Sequence, residues 1–278
     1  MSKNYPNVLR KLYGEPWAIS ENNFHAIAEI VEKHIEKALS VDDIQFAAQG
    51  DQRGKMEQVS VMNGVAIIPI AGPIIKGASV FARISGAVSP ETISKQLDQA
   101  IAMDDDEVKS ILLHIDSPGG QVTGVAELAS KIYAARSGTN KSIIALADGG
   151  MASAAYWIGS QADAVFATEM SQVGSIGVYA SVYDDTRKMR NEGVDPTVFR
   201  SHELKGIGEG PVTPSQASAV QASVMKTFEV FLSAVTRARD IDIDKVANGL
   251  TWFGDEAVGL GLIDGISTFD QILKTYGK

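Results

Sequence analysis

The chain has 278 residues, 45% of them hydrophobic and 21% charged, enough to bury one large core with a small appendage. Its formal charge of -9 argues against a nucleic-acid partner, which would need clustered Lys and Arg. Cysteine is absent, which excludes disulfides and a Cys nucleophile. The four histidines (His25, His34, His114, His202) form no metal-spaced pair, so neither metal nor cofactor is expected.

The opening residues, MSKNYPNVLRKLYGEPW, lack the apolar run of an export signal. Residues 1–19 read as an irregular arm containing Pro6, Pro16 and Trp17. Ser20 is placed to cap a helix reaching about Leu39, because Phe24, Ile27, Ala28, Val31, Ile35 and Ala38 keep helical spacing on one face. Residues 40–58 are polar and aperiodic, a linker joining this arm (1–58) to a main domain over 59–278.

VSVMNGVAIIPI (59–70) predicts a hairpin turning at Asn63-Gly64. The longest apolar stretch, Gly64 to Ile75, is broken by Pro69, Gly72 and Pro73 and is about half of the ~20 residues a membrane helix needs. A soluble, cytoplasmic protein without a membrane partner is therefore expected. Strands are predicted at 110–116, 142–148, 164–167, 177–184 and 196–200. Helices are predicted at 89–102, at 122–136, from about Ala152, and from Thr213-Pro214 to about Asp240. The acidic run Asp104–Glu107 reads as a solvated turn. Apolar strands alternating with helices imply an α/β fold whose mainly parallel sheet is covered on both faces.

Three segments carry possible chemistry. Asp116-Ser117-Pro118-Gly119-Gly120 follows a buried strand and exposes backbone N–H groups that no side chain blocks. Gly149-Gly150-Met151-Ala152-Ser153-Ala154-Ala155 follows another. It places Ser153 in the first turn of a helix but departs from the G-x-S-x-G elbow, so an α/β-hydrolase is disfavoured. The third is Arg200-Ser201-His202-Glu203-Leu204-Lys205-Gly206, in which nothing by spacing alone distinguishes Lys205 from a solvated charge. His114 and Asp116 share a strand face, so a Ser-His-Asp triad is weighed too, although no motif ties either to Ser153. His202 reads as a rim residue, and the Trp252-Phe253-Gly254 turn as core packing.

Five motifs in order, IDSPGG (115–120), DGGMASAAYWI (148–158), VGSIGV (173–178), RSHELKGI (200–207) and GLTWFGDEAVGLGLID (249–264), resemble the signal peptide peptidase A family of serine peptidases. The resemblance covers roughly residues 60–270 and implies the spiral fold of ββα units shared with ClpP and crotonase. It puts Ser153 at the nucleophile, Lys205 at the general base and Ser175 at the serine that orients the lysine amine. Gly119 and the N–H of Ala154 fall at the oxyanion hole. The chain departs from the common form in carrying Ala154-Ala155 where glycines follow the nucleophile. A lysine with its usual pKa near ~10.4 is neutral in fewer than ~1 in 1,000 molecules at pH 7, so Lys205 is expected to be buried and its pKa depressed.

The arm LRKLYGEPWAI and the helix after it resemble the N-terminal extension of phage-encoded members that act as prohead, or capsid-assembly, proteases. This implies polypeptide substrates such as scaffold and capsid proteins, and a location in the host cytoplasm or the procapsid interior. Family members also form rings with sites built across subunit contacts, so a homo-oligomer is expected. Other readings are a bacterial peptidase degrading signal peptides or proteins, a crotonase-type acyl-CoA hydratase or hydrolase, and an inactive capsid-scaffold component.

Overall fold

The computed structural model describes residues 17–19, 59–77, 86–182, 184, 186–195 and 197–278. The helix expected over 20–39 and the linker over 40–58 lie outside them. Trp17–Ile19 forms β1. Ser60–Met62 (β2) and Val65–Ala71 (β3) pair antiparallel across Asn63 and Gly64, whose φ values of 51° and 77° make the tight turn the sequence calls for. Helix α1 (Pro90–Ala102) starts where the Ser89 side chain accepts from the Thr92 N–H, with proline in the first turn, where a missing N–H costs nothing.

The chain then runs through β4 (Ser110–Ser117), β5 (Gly119–Gln121), α2 (Val125–Gly138), β6 (Ser142–Ala152) and α3 (Ala154–Gly159). It continues as β7 (Ala164–Ala167), β8 (Gln172–Gly174), α4 (Thr186–Asn191), α5 (Pro214–Ala238), α6 (Ile243–Val246), β9 (Thr251–Trp252), α7 (Gly254–Gly259), β10 (Gly265–Ile266) and α8 (Phe269–Tyr276). The main sheet has the order β10-β7-β6-β4-β3-β2, with β8 and β9 continuing off the C-terminal end of β6. Every pairing from β10 to β3 is parallel.

The sheet is buried on both faces, as near-continuous apolar strands require. Ile111, Leu113, Ile115, Ile143, Ala145 and Ala147 face the main core beneath α1, α2 and α3. Leu112, Ile144 and Leu146 face the other way, against Ile272 and Leu273 of α8. Each buried Ile or Leu among them contributes about 1.5–3 kcal/mol on leaving water. Helix α5 opens on a reciprocal cap between Thr213 and Gln216 and docks through Phe231, which stacks on Trp157 of α3 at 4.6 Å and 6° between planes. The mainly parallel α/β architecture is thus as expected.

Three local expectations fail. Trp17–Ile19 is not irregular but a strand, antiparallel to β5. The described residues of 177–184 form no strand, and only Tyr179 makes a bridge, to Trp17. The described residues of 196–200 are also irregular, with Phe199 93% exposed. Among the described residues, Val198 and Phe199 of this last segment face no core, and no neighbouring strand completes a ladder. A β-prone pattern without a partner does not make a strand.

Candidate active site

The C-terminal ends of β4, β6 and β8 converge on a cleft of about 1390 Å³. Ser153 lies in its floor, between the last residue of β6 and the first of α3, at φ 56° and ψ -118°. Only three non-glycine residues among those described have positive φ: Asn63 in the hairpin turn, Ser153 and Ser175. Such a conformation costs on the order of 1–3 kcal/mol and persists only where the surroundings impose it. At Ser153 the N–H donates to the Gly174 carbonyl at 2.7 Å, while the carbonyl accepts the first helical bond from Trp157 at 2.8 Å. At Ser175 the N–H donates to the Leu250 carbonyl at 2.6 Å. Both serines line the cleft, and Ser153, 1% exposed, donates its hydroxyl to the Gly177 carbonyl at 3.4 Å.

The glycine turn stands beside them. Gly119 has φ 98°, so a side chain there would be strained whatever space it found. Its N–H donates to Ser117 Oγ at 3.2 Å, and its carbonyl accepts from the Ile74 N–H at 2.8 Å. Gln121 N–H in turn donates to the Ile74 carbonyl at 2.8 Å. Because successive residues of a strand turn their backbone groups to opposite sides, Gly120 presents its N–H and carbonyl to the side away from Ile74. Gly119, expected as an amide donor, therefore has its N–H already engaged by Ser117. Gly120, which the sequence did not single out although the Pro-Gly-Gly run was visible, is the glycine whose N–H is turned away from Ile74. Ala154 is fully buried at the start of α3.

Lys205 is elsewhere. It is exposed, on a turn, and is not among the residues lining the cleft. Its burial, expected from the chemistry, does not occur within one chain. The turn is held by Arg200, whose guanidinium donates to the Lys205 carbonyl at 2.9 Å and the Glu209 carbonyl at 2.7 Å. Glu203 accepts from the hydroxyls of Ser215 and Thr213, which hold its carboxyl below the usual range. These contacts fix the turn at the start of α5 but supply nothing to cover the lysine. The buried lysine among the described residues is Lys141, 3% exposed, which bonds the Ile101 and Met103 carbonyls and Asp105 beside α1, a structural role.

His114 does not approach Ser153 as a triad member. Its ring bonds Asp148 at 3.0 Å and lies against Phe269 of α8, away from the cleft. Asp116 lines the cleft but accepts from the Gly150 N–H at 3.0 Å. His202 is exposed beside Ser201 and does not line the cleft. Trp252 packs on the main core as expected, whereas Phe253 is 41% exposed at the start of α7. No helix among the described residues is long and apolar enough to cross a membrane.

Comparison with known proteins gives this geometry a context. The model for Peptidase family S49 matches residues 135–278. The head-tail preconnector protein GP5 of Enterobacteria phage P21 is 33% identical over 224 residues, covering 79% of this chain and 44% of the phage protein. The capsid assembly protease C of Escherichia phage lambda is 27% identical over 280 residues, covering 94% and 63%. Protease 4 of Salmonella typhi is 27% identical over 275 residues, covering 97% and 40%. The chain thus spans less than two thirds of the length of each of these relatives.

Proposed function

The chain belongs to peptidase family S49, a serine-type family, and on that premise we propose that it is a serine endopeptidase acting through Ser153 and Lys205. One observation carries the reading: Ser153 is held at positive φ in a cleft that Ser117 and Pro118 also line, with the buried start of α3 directly after it and the Gly119 backbone packed close to the Ala154 nitrogen. A serine hydroxyl is a weak nucleophile until a base takes its proton. The base is Lys205 of a second copy of the chain. The exposure of Lys205, and of Phe199 and Leu204 on the same segment, supports this, because an apolar strip left uncovered in one chain is what a neighbouring subunit would bury. Enclosure at that contact favours the neutral amine.

In the reaction the neutral Lys205 amine takes the Ser153 proton as Oγ bonds to the scissile carbonyl carbon. The amides of Gly120 and Ala154 hold the oxyanion. Ser175 orients the amine. Collapse of the intermediate breaks the C–N bond, the leaving nitrogen takes the proton from the lysine, and water hydrolyses the acyl-enzyme. A fluorophosphonate probe should label the wild-type protein at Ser153 and leave Ser153→Ala unlabelled. Equal labelling of both would remove Ser153 from the reaction. A crotonase-type activity predicts turnover of an acyl thioester instead of a peptide, and an inactive scaffold component predicts neither.

For the biological role we favour cleavage of scaffold and capsid proteins during procapsid maturation, in a ring-like homo-oligomer. The similarity to the phage lambda and phage P21 proteins supports it. The similarity to Protease 4 supports the other reading, degradation of signal peptides or proteins in a bacterium. Mass spectrometry of capsid and scaffold proteins co-expressed with the wild type or with Ser153→Ala separates the two. Discrete cuts that depend on Ser153 support maturation, whereas intact capsid and scaffold proteins favour the bacterial role.

A further inference from the structure

An extended peptide can be bound by adding it as a strand to an exposed sheet edge, the main chain supplying the affinity. The cleft beside Ser153 offers such a track, bounded on one side by the outward edge of Gly120 and on the other by Tyr179. In this structure the track is filled by the chain's own β1. Trp17 exchanges both backbone hydrogen bonds with Tyr179, donating at 2.9 Å and accepting at 3.0 Å. The next residue, Ala18, must therefore turn its N–H and carbonyl the other way, toward β5, where it stands in register with Gly120.

The Ala18 carbonyl oxygen also comes close to the proposed oxyanion donors. The point where a Cβ on Gly119 would stand is 2.2 Å from that oxygen and 3.0 Å from the Ala154 nitrogen, so both atoms crowd the same side of Gly119. Ala18 is fully buried, Trp17 is 2% and Ile19 4% exposed, and Ile19 lines the cleft with Ser153. A segment that merely covered the surface would not be bonded on both edges.

We propose that Trp17–Ile19 is an internal substrate seated in the peptide track of Ser153, presenting the Ala18–Ile19 bond to the nucleophile. The proposal rests on the Ser153 reading above and adds its first substrate, a cut after a small residue. When a base is supplied, Ser153 Oγ bonds to the Ala18 carbonyl carbon and its proton passes through the Lys205 amine to the Ile19 nitrogen. The Ala18–Ile19 bond breaks, leaving a chain that begins at Ile19 with a new α-amine. Water then splits the ester, restoring the Ser153 hydroxyl and leaving a carboxylate on Ala18. Until β1 departs, another peptide cannot use the track.

Two measurements test this. Intact mass of the full chain over time should show loss of residues 1–18 in the wild type and none in Ser153→Ala. Ala18→Trp, which has no room where Ala18 is wholly buried, should slow the cut by about 100-fold or more. Hydrogen exchange on Ser153→Ala reads occupancy without chemistry. The Ala18 and Gly120 amides should exchange slowly, and Ala18→Pro, which lacks the donor, should speed exchange at Gly120 by about tenfold or more. Fast exchange at both amides in Ser153→Ala overturns the proposal. So does wild-type protein that reacts with a fluorophosphonate at Ser153 yet keeps Ala18 joined to Ile19. Protein that is protected but unreactive supports it if Ala18→Pro restores labelling. If Ala18→Pro stays unreactive, the Ser153 reading itself fails, and the proposal with it.

Discussion

Mixing two inactive variants tests whether the site is assembled between subunits. Ser153→Ala removes the nucleophile and Lys205→Ala the base, and each alone should lower peptide cleavage by about a thousandfold or more. In one chain Lys205 is exposed and outside the Ser153 cleft, so the proposed mechanism requires the serine of one subunit and the lysine of another. If the two variants are unfolded together, refolded at equal amounts and assembled at random, a site works only when its serine comes from a Lys205→Ala chain and its lysine from a Ser153→Ala chain. Each condition holds half the time, so about a quarter of the sites in a symmetric ring should be intact and about a quarter of wild-type activity should return. The assay is release of fluorescence from a quenched peptide, with each variant refolded alone as the baseline. Mixed oligomers that form, as shown by native mass spectrometry, yet recover nothing would refute assembly across subunits.

Three further outcomes follow from the same geometry. Gly120→Ala puts a Cβ 1.9 Å from the Ile74 carbonyl oxygen, so that backbone must shift; kcat should fall about 100-fold or more, with KM changing less. An unchanged kcat would remove Gly120 from the oxyanion site. Trp157→Ala deletes the stacked partner of Phe231 in a wholly buried contact and should cost about 3–5 kcal/mol, lowering Tm by roughly 10 °C or more. Burial pushes the Asp264 carboxyl up, but hydrogen bonds from Arg239 and the Val165 N–H, with the Arg239 and Arg136 charges, outweigh it and hold the pKa below its ordinary value. The resulting stability is present above the unfolded pKa and is lost as pH falls through the lower folded one. Asp264→Asn should therefore lower the urea midpoint at pH 7, and the gap to wild type should shrink on acidification to about pH 3. A gap independent of pH would mean that the carboxylate charge contributes nothing.

Most of the scaffold was legible because its signals are local. Asn63-Gly64 between alternating apolar residues, Ser89-Pro90 and Thr213-Pro214 as helix openings, and the runs 110–116 and 142–148 each encode their element within a few residues. Of the three misread segments, two failed for opposite reasons. PTVFR has the composition of a strand, but its described residues have no ladder partner among the described residues, and Phe199 is exposed. Trp17–Ile19 has little local signal, with Pro16 before it, and becomes a strand because β5 and Tyr179 present edges on both sides.

The same division runs through the candidate site. Ser153 and Ser175 were named by motif, and the structure adds what no pattern could show, the positive φ that both share. The first glycine of the pair was chosen as amide donor because a sequence does not reveal which way a backbone group points. Only the bonds from Ile74 to either side of Gly120 settle that direction. Lys205 is the remaining case. The proposed base is exposed, on a turn stabilised by Arg200 and Glu203. A preformed turn that leaves Lys205 exposed, followed by a helix whose Met225 and Val230 are also exposed, would suit one half of the proposed contact. On the proposed mechanism, a base supplied only by a neighbouring copy would keep the single chain inactive while β1 fills the track.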